Sequence, residues 1–403
     1  MKPSHIDWCP MIPDHWEEKR IKDIAFLQSG NSITAMDFVE DGKFPVYGGN
    51  GLRGYTNTYT NEGDYVLIGR QGALCGNINY AHGKFYASEH AVVVYPKKEE
   101  ITLWLGETLR TANLNRLSMT AAQPGLAVST LNLQFIPFPP KDERIRIAKY
   151  LDKKLSEIDH QVSLLTSKRD AYLRLKKSII NHAVTRGLNP NVKMKDSGIE
   201  WIGEVPEHWE VKRMKDICAL SPNIKSCSEY EYGSYLPMEG LRLDQIETSD
   251  ELVSTLQGKY TPFEDNDLLV AKVTPCFENG NIAIAKGLTN GVGFGSSEIF
   301  VLRANKYNNI RFLFYMSLSS KFQDKACATM CGVGGLKRIS PLFMKTYIMA
   351  IPPSTEQRAI ATYLDDKCAK IDTIVSNLDK QISRYADLKR SLIDEVITGK
   401  RAV

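Results

Sequence analysis

The amino-acid sequence predicts an α+β protein in which two mixed α/β domains, related by a pseudo-twofold axis, are separated by two long helices in an antiparallel coiled coil. Three observations carry this expectation. A block of text is duplicated, short β-type runs rich in Gly, Asn and Tyr fill the front of each copy, and a long charged stretch free of Gly and Pro closes each copy. The 403 residues are 43% hydrophobic and 24% charged, which excludes a disordered or collagen-like chain and suffices for two or three cores.

The duplication comes first, because a missed repeat misassigns the whole fold. PDHWEEKRIKDI (Pro13 to Ile24) returns as PEHWEVKRMKDI (Pro206 to Ile217), displaced by 193 residues. PPKDERIRIAKYLDKKLSEID (Pro139 to Asp159) returns as PPSTEQRAIATYLDDKCAKID (Pro352 to Asp372), displaced by 213. Between these anchors Gly76-Asn77-Ile78 matches Gly280-Asn281-Ile282, and Ser88-Glu89 matches Ser297-Glu298, in unchanged order. The copies are therefore one architecture with different loops. The boundaries read as a first domain over 1–140, a central helix over 141–186, a linker over 187–205, a second domain over 206–353, and a distal helix with a tail over 354–403.

Within each domain YVLIG, AVVVYP, DLLVAKV and EIFVLRA have strand character and are bounded by turn residues. GVGFG (Gly291 to Gly295) lacks the strand-then-helix setting of a cofactor loop and reads as a hairpin turn. After each double proline the text runs without Gly or Pro to Gly187 and to Gly399, a helix with a clear stop. Ser354 and Gln357 have capping-box spacing. Ile158, Val162, Leu165, Tyr172, Leu175, Ile179 and Ala183 recur at three- and four-residue steps, matched by Ile371, Val375, Leu378, Tyr385, Leu388, Leu392 and Val396. The first seam is polar at Arg169 where the second has Ile382. A helix from Ile147 to Ala183 would be about 55 Å long, the size of a spacer. Packing of each helix on its own domain is the plainer alternative.

Net charge is +4, of which residues 141–186, with 12 basic and 6 acidic side chains, hold more than the whole. Any nucleic-acid surface is thus a local patch. No signal-like start and no run of eighteen apolar residues is present, so a cytoplasmic location is expected. Eight cysteines lack paired spacing, and Cys327 and Cys331 have no second pair to complete a zinc site.

Enzyme signatures are missing. Each Gly-Lys pair (Gly42, Gly83, Gly258, Gly399) is followed by Phe, Phe, Tyr or Arg, so no phosphate-cradling loop is formed. FPPK and IPPS lack the Asp/Asn-Pro-Pro-aromatic tetrad of amino-methyltransferases. Pro13-Asp14 with Glu17, Glu18 and Lys19 imitates a nuclease set at too short a spacing, and its return at Pro206 to Lys212 indicates structure. His15 and His208, beside Trp16 and Trp209, read as packed aromatic caps, and His90 as a satisfied turn histidine. What remains is a polar surface. YGGNGLRGYTNTYTNEGDYVLIGRQGALCGNINYAHGKF packs Asn, Arg, Gln and Tyr around Gly, where Arg can pair bidentately with guanine and Asn or Gln with adenine. Unshared polar residues in matching loops are the candidate base readers: Asn50, Arg53, Asn57, Arg70, Gln71 and Gln123 in the first domain, and Lys272, Asn279, Lys337 and Arg338 in the second.

The duplicated PxHWExKRxKDI opening, the YVLIGRQGALCGNINYAHGKFYASEHAVVVYP segment and the PPxxEQRxIAxYLD helix ending in VITGKR resemble the specificity subunit of type I restriction-modification enzymes. The resemblance covers essentially the whole chain. It implies two target-recognition domains, each reading half of a bipartite site in double-stranded DNA. The first helix ends VTRGL rather than in the expected TGK-type close. The implied partners are two modification (methyltransferase) subunits carrying S-adenosylmethionine and restriction subunits carrying the ATP- and Mg-dependent translocase and nuclease. No cofactor or metal is expected on this chain, nor any catalytic residue. Tyr150, Leu151, Arg169, Tyr172, Tyr363, Leu364, Tyr385 and Leu388, on the two helices, are the candidate partner contacts. A stand-alone methyltransferase or nuclease, and a coiled-coil assembly scaffold, are the alternatives.

Overall fold

The computed structural model describes residues 1–72, 74–97, 101–118, 125–222, 224, 229–333 and 335–403. The chain divides into two compact units, one made of Met1–Thr166 with Lys380–Val403, the other of Ser167–Asp379. The central helix (Lys141–Arg186) gives its first half to the first unit and its second half to the other; the distal helix (Ser354–Ile397) does the reverse.

Both units repeat one strand plan. In the first, Ala25–Ser29, Ala91–Pro96, Tyr65–Gly69 and Ile78–Ala81 form a four-stranded antiparallel sheet in that order. Its counterpart is Cys218–Leu220, Ile299–Ala304, Leu268–Ala271 and Ile282–Ile284. A second four-stranded sheet holds a parallel pair in each unit, Phe44–Gly48 with Lys84–Ala87 and Tyr232–Leu236 with Val292–Gly295. Successive side chains of a strand point to opposite faces. Accordingly Val66, Ile68, Val92 and Val94 enter the main core of the first unit, whereas Leu67 and Val93 join Phe85 and Ala87 on the other face. Burial on both faces explains the unbroken apolar runs of YVLIG and AVVVYP.

Val292–Gly295 corrects the sequence expectation: GVGFG is a buried strand inside the second sheet, not a hairpin turn. A Cβ at Gly293 would stand 2.5 Å from the ring of Phe263, so glycine here lets an aromatic ring lie flat on the strand. Only Gly291, at φ 72°, makes a turn.

The double prolines lead into the long helices by a shared device. Arg144 Nη1 donates to the carbonyl of Pro139 at 2.8 Å, and Gln357 Nε2 donates to that of Pro352 at 2.9 Å. Gln357 also accepts from the Asn309 backbone N–H at 2.7 Å. The capping box expected at Ser354 and Gln357 therefore does not form, because the buried Gln357 side chain points into its unit. Gly187 and Gly399 end the helices with φ of 77° and 71°.

In each unit the two helix segments run antiparallel. Asp159 pairs with Lys389 at 2.7 Å in the first; Arg169–Asp379 and Lys176–Asp372 pair in the second, at 3.4 and 2.6 Å, seven steps forward matched by seven back. The seam departs from the expected one at a single matched position. Leu175 and Leu388 are 47% and 52% exposed. Lys176 and Lys389, each four residues after a seam tyrosine, lay their stems there instead and carry their charge to an Asp of the facing helix. Among the described residues no helix is long and apolar enough to cross a membrane.

Candidate nucleic-acid interface

At the end of Tyr65–Gly69 the backbone of Arg70 is fixed on both sides. Its N–H donates to His90 O at 2.8 Å, and its carbonyl accepts from Leu126 N–H at 2.9 Å. Lys272, at the end of Leu268–Ala271, is held alike: its N–H donates to Glu298 O at 2.8 Å and its carbonyl accepts from Ile339 N–H at 2.9 Å. The residue after each makes an antiparallel bridge, Gln71 with Gly125 and Val273 with Arg338. Arg70 and Lys272 thus occupy one structural position in two units, with different neighbours.

In the first unit this rim gathers Asn50, Arg70 and Gln71. A Cβ on Gly49 would lie 3.1 Å from Gln71 O and 3.3 Å from His90 O, so glycine lets the Asn50 turn close on them. Asn50 Oδ1 accepts from Asn77 Nδ2 at 3.0 Å, and Gln71 Oε1 lies 2.9 Å from His90 Nδ1. Arg53, with its guanidinium 5.7 Å from the Phe38 ring, and Asn57, bonded to Lys43 N–H at 3.4 Å, are exposed along and just past the Gly51–Thr56 strand. Gln123 lies outside the described residues.

In the second unit Lys272, Lys337 and Arg338 come together. Lys272 Nζ donates to Ser297 O at 2.6 Å over the Phe300 ring, and burial holds its ammonium below the usual lysine range, opposed by the Glu298 charge. Thr274 Oγ1 accepts from Lys337 N–H at 3.0 Å. Asn279 is exposed in the turn that follows, its N–H on Pro275 O at 2.9 Å. Arg338 forks onto Glu298, with N···O distances of 2.9 to 3.1 Å. Sequence reasoning passed over Glu298 as a functional residue, although the repeated Ser-Glu dipeptide marked it.

Histidines 15 and 208 do more than cap. His15 Nε2 stands 2.8 Å from Glu143 and His208 Nε2 2.7 Å from Glu356, tying each repeated opening motif to the first turn of a long helix. Of the candidate partner contacts, Leu151 and Leu364 are fully buried in their units' cores and offer no surface, a correction that follows from helix periodicity turning them inward. Tyr150, Tyr172 and Tyr385 are half-buried, Arg169 is engaged with Asp170 and Asp379, and Tyr363 and Leu388 are exposed. Among the described residues no group of His, Cys, Asp and Glu could hold a metal ion.

The sequence profile of the type I restriction modification DNA specificity domain matches residues 13–164 and again 206–384. The EcoprrI specificity subunit of Escherichia coli is 40% identical over 141 residues, 34% of this chain and 35% of that protein. The chain thus spans about a third of the length of the first curated relatives it matches. The MjaVIII specificity subunit of Methanocaldococcus jannaschii is 22% identical over 96% of this chain and 93% of its own length. A solved chain, described as the structural basis underlying complex assembly and conformational transition of the type I R-M system, superposes with a TM-score of 0.69 at 14% identity, covering 97% of this chain and all of the other. That likeness concerns the fold, while the twice-matched profile concerns descent: the chain belongs to the type I restriction modification DNA specificity domain family.

Proposed function

We propose that this chain is the non-catalytic, sequence-reading subunit of a type I restriction-modification assembly. Its domains over 1–140 and 206–353 each read one half of a bipartite target in double-stranded DNA. The carrying observation is the shared rim with unshared side chains: one backbone frame presents Arg70, Gln71 and Gly125 in the first unit, and Lys272, Val273 and Arg338 in the second. A constant frame with variable donors is what reading two different half-sites requires, since phosphate contacts position and base contacts specify. The helices over 141–186 and 354–403 dock two modification subunits and, with them, restriction subunits. S-adenosylmethionine, ATP and Mg belong to those partners.

Sequencing the methylated sites of a host carrying this chain with its modification partner tests the reading. A bipartite motif that disappears when the chain is deleted is the expected result. Methylation by the purified chain alone would favour a self-contained methyltransferase instead.

A further inference from the structure

We propose that Glu298 is a positioning residue that orients the Arg338 guanidinium to read a guanine in the half-site of the second domain. This deepens the DNA-reading function proposed above and rests on it.

Glu298 engages one edge of the fork. Arg338 Nε lies 3.1 and 2.9 Å from its two carboxylate oxygens, and Nη2 lies 3.0 Å from Oε1. A guanidinium carries five N–H groups in one plane, so this pairing leaves the Nη1 edge, with Nη1 and the second proton of Nη2, pointing away from the carboxylate. Two parallel donors on a fixed plane match the O6 and N7 acceptors of guanine in the major groove. The two-point pairing sets the plane, and the carboxylate extends from an anchored backbone: Glu298 N–H donates to Ser296 Oγ at 3.2 Å, and its carbonyl accepts from Lys272 N–H at 2.8 Å.

Stability alone does not account for the pair. The two side chains are 52% and 29% exposed, where an ion pair contributes little to folding. Nor is it a property of the shared architecture. In the first unit Gly125 stands at the bridge position of Arg338, and His90, whose carbonyl accepts from Arg70 as that of Glu298 accepts from Lys272, stands in the place of Glu298. A device present in one domain only belongs with reading one half-site, not with building the fold.

The experiment uses the whole methyltransferase complex, with this chain as wild type, Arg338→Ala, Glu298→Gln and Lys272→Ala. Methylation is measured on the wild-type site and on all its single-base variants. Arg338→Ala should lose about tenfold or more of its preference for guanine at one position of the second half-site. Glu298→Gln should lose preference at that same position and no other, leaving the first half-site intact. If Arg338→Ala relaxed a position and Glu298→Gln did not, Arg338 would read without being positioned, and the proposal would fall while DNA reading stood. Equal loss across all sites would reduce Glu298 to a structural role and also overturn it. Unchanged preference in both variants overturns it too; a relaxed position in Lys272→Ala would then show that the second domain still reads DNA. A wild-type complex without sequence preference would overturn the underlying function itself.

Discussion

Glu356 Oε2 stands 2.7 Å from Nε2 of His208 and accepts from Nε1 of the fully buried Trp209 at 3.2 Å, so one carboxylate at the first turn of the distal helix holds two consecutive residues of the repeated opening motif. Its counterpart Glu143 holds only His15, and Trp16 Nε1 is buried without a partner among the described residues. Glu356→Ala should therefore cost about 1–3 kcal/mol, because it strands a buried indole N–H. Glu143→Ala removes only a contact to the exposed ring of His15 and strands no buried donor, so it should cost less than about 1 kcal/mol. Urea midpoints of the two variants decide, and equal losses would contradict the asymmetry.

The helix seam separates packing from docking. Leu392 is 6% exposed in the first unit's core, whereas Leu388, one turn earlier, is 52% exposed. Leu392→Ala should destabilise that unit by about 2–4 kcal/mol. Leu388→Ala should leave the thermal midpoint nearly unchanged and weaken association with the modification subunit, measured by co-purification or calorimetry.

Arg70 and Lys272 share one frame, so their alanine variants should mirror each other. Each should relax a position in its own half of the methylated motif, by about 1–3 kcal/mol of discrimination, and spare the other half. Sequencing methylated sites in both variants checks this. Unchanged motifs would mean that the rims do not touch bases.

Domain exchange should work cleanly at chosen joints. Glu210–Arg213 pairs antiparallel with Ile348–Ile351, so both ends of residues 213–351 leave the domain side by side on one two-stranded ribbon. Glu17–Arg20 and Phe135–Phe138 do the same in the first unit. Replacing 213–351 with the matching domain of a relative should change one half of the recognised sequence and keep the other.

The duplication, the strand runs and both long helices were legible because they rest on local pattern: repeated words, period-two burial and Gly/Pro punctuation. The rim was legible in part. Arg70 and Lys272 stood out as unshared residues at matched places, but Glu298 hid within a shared Ser-Glu dipeptide, which pairs it with Glu89 although the strand frame puts His90 at its place. The contacts of His15 with Glu143 and His208 with Glu356 bridge 128 and 148 residues, beyond any periodicity. Leu175 and Leu388 misled because strict seam spacing ignores that a lysine stem can cover apolar surface while its charge finds a partner. GVGFG misled because glycine serves ring packing as readily as a turn.

The division of the helices between units has a consequence for synthesis. Residues 167–379 form one unbroken unit, but the other unit needs 1–166 together with 380–403. The domain made first is therefore the one completed last. Its core awaits Leu392, Ile393, Val396 and Ile397, which join Ile147, Leu151, Leu155 and Ile158 in one cluster. At roughly 5–20 residues per second, that apolar stripe on the nascent central helix stays partly uncovered for on the order of tens of seconds, while the domain behind it is still being built.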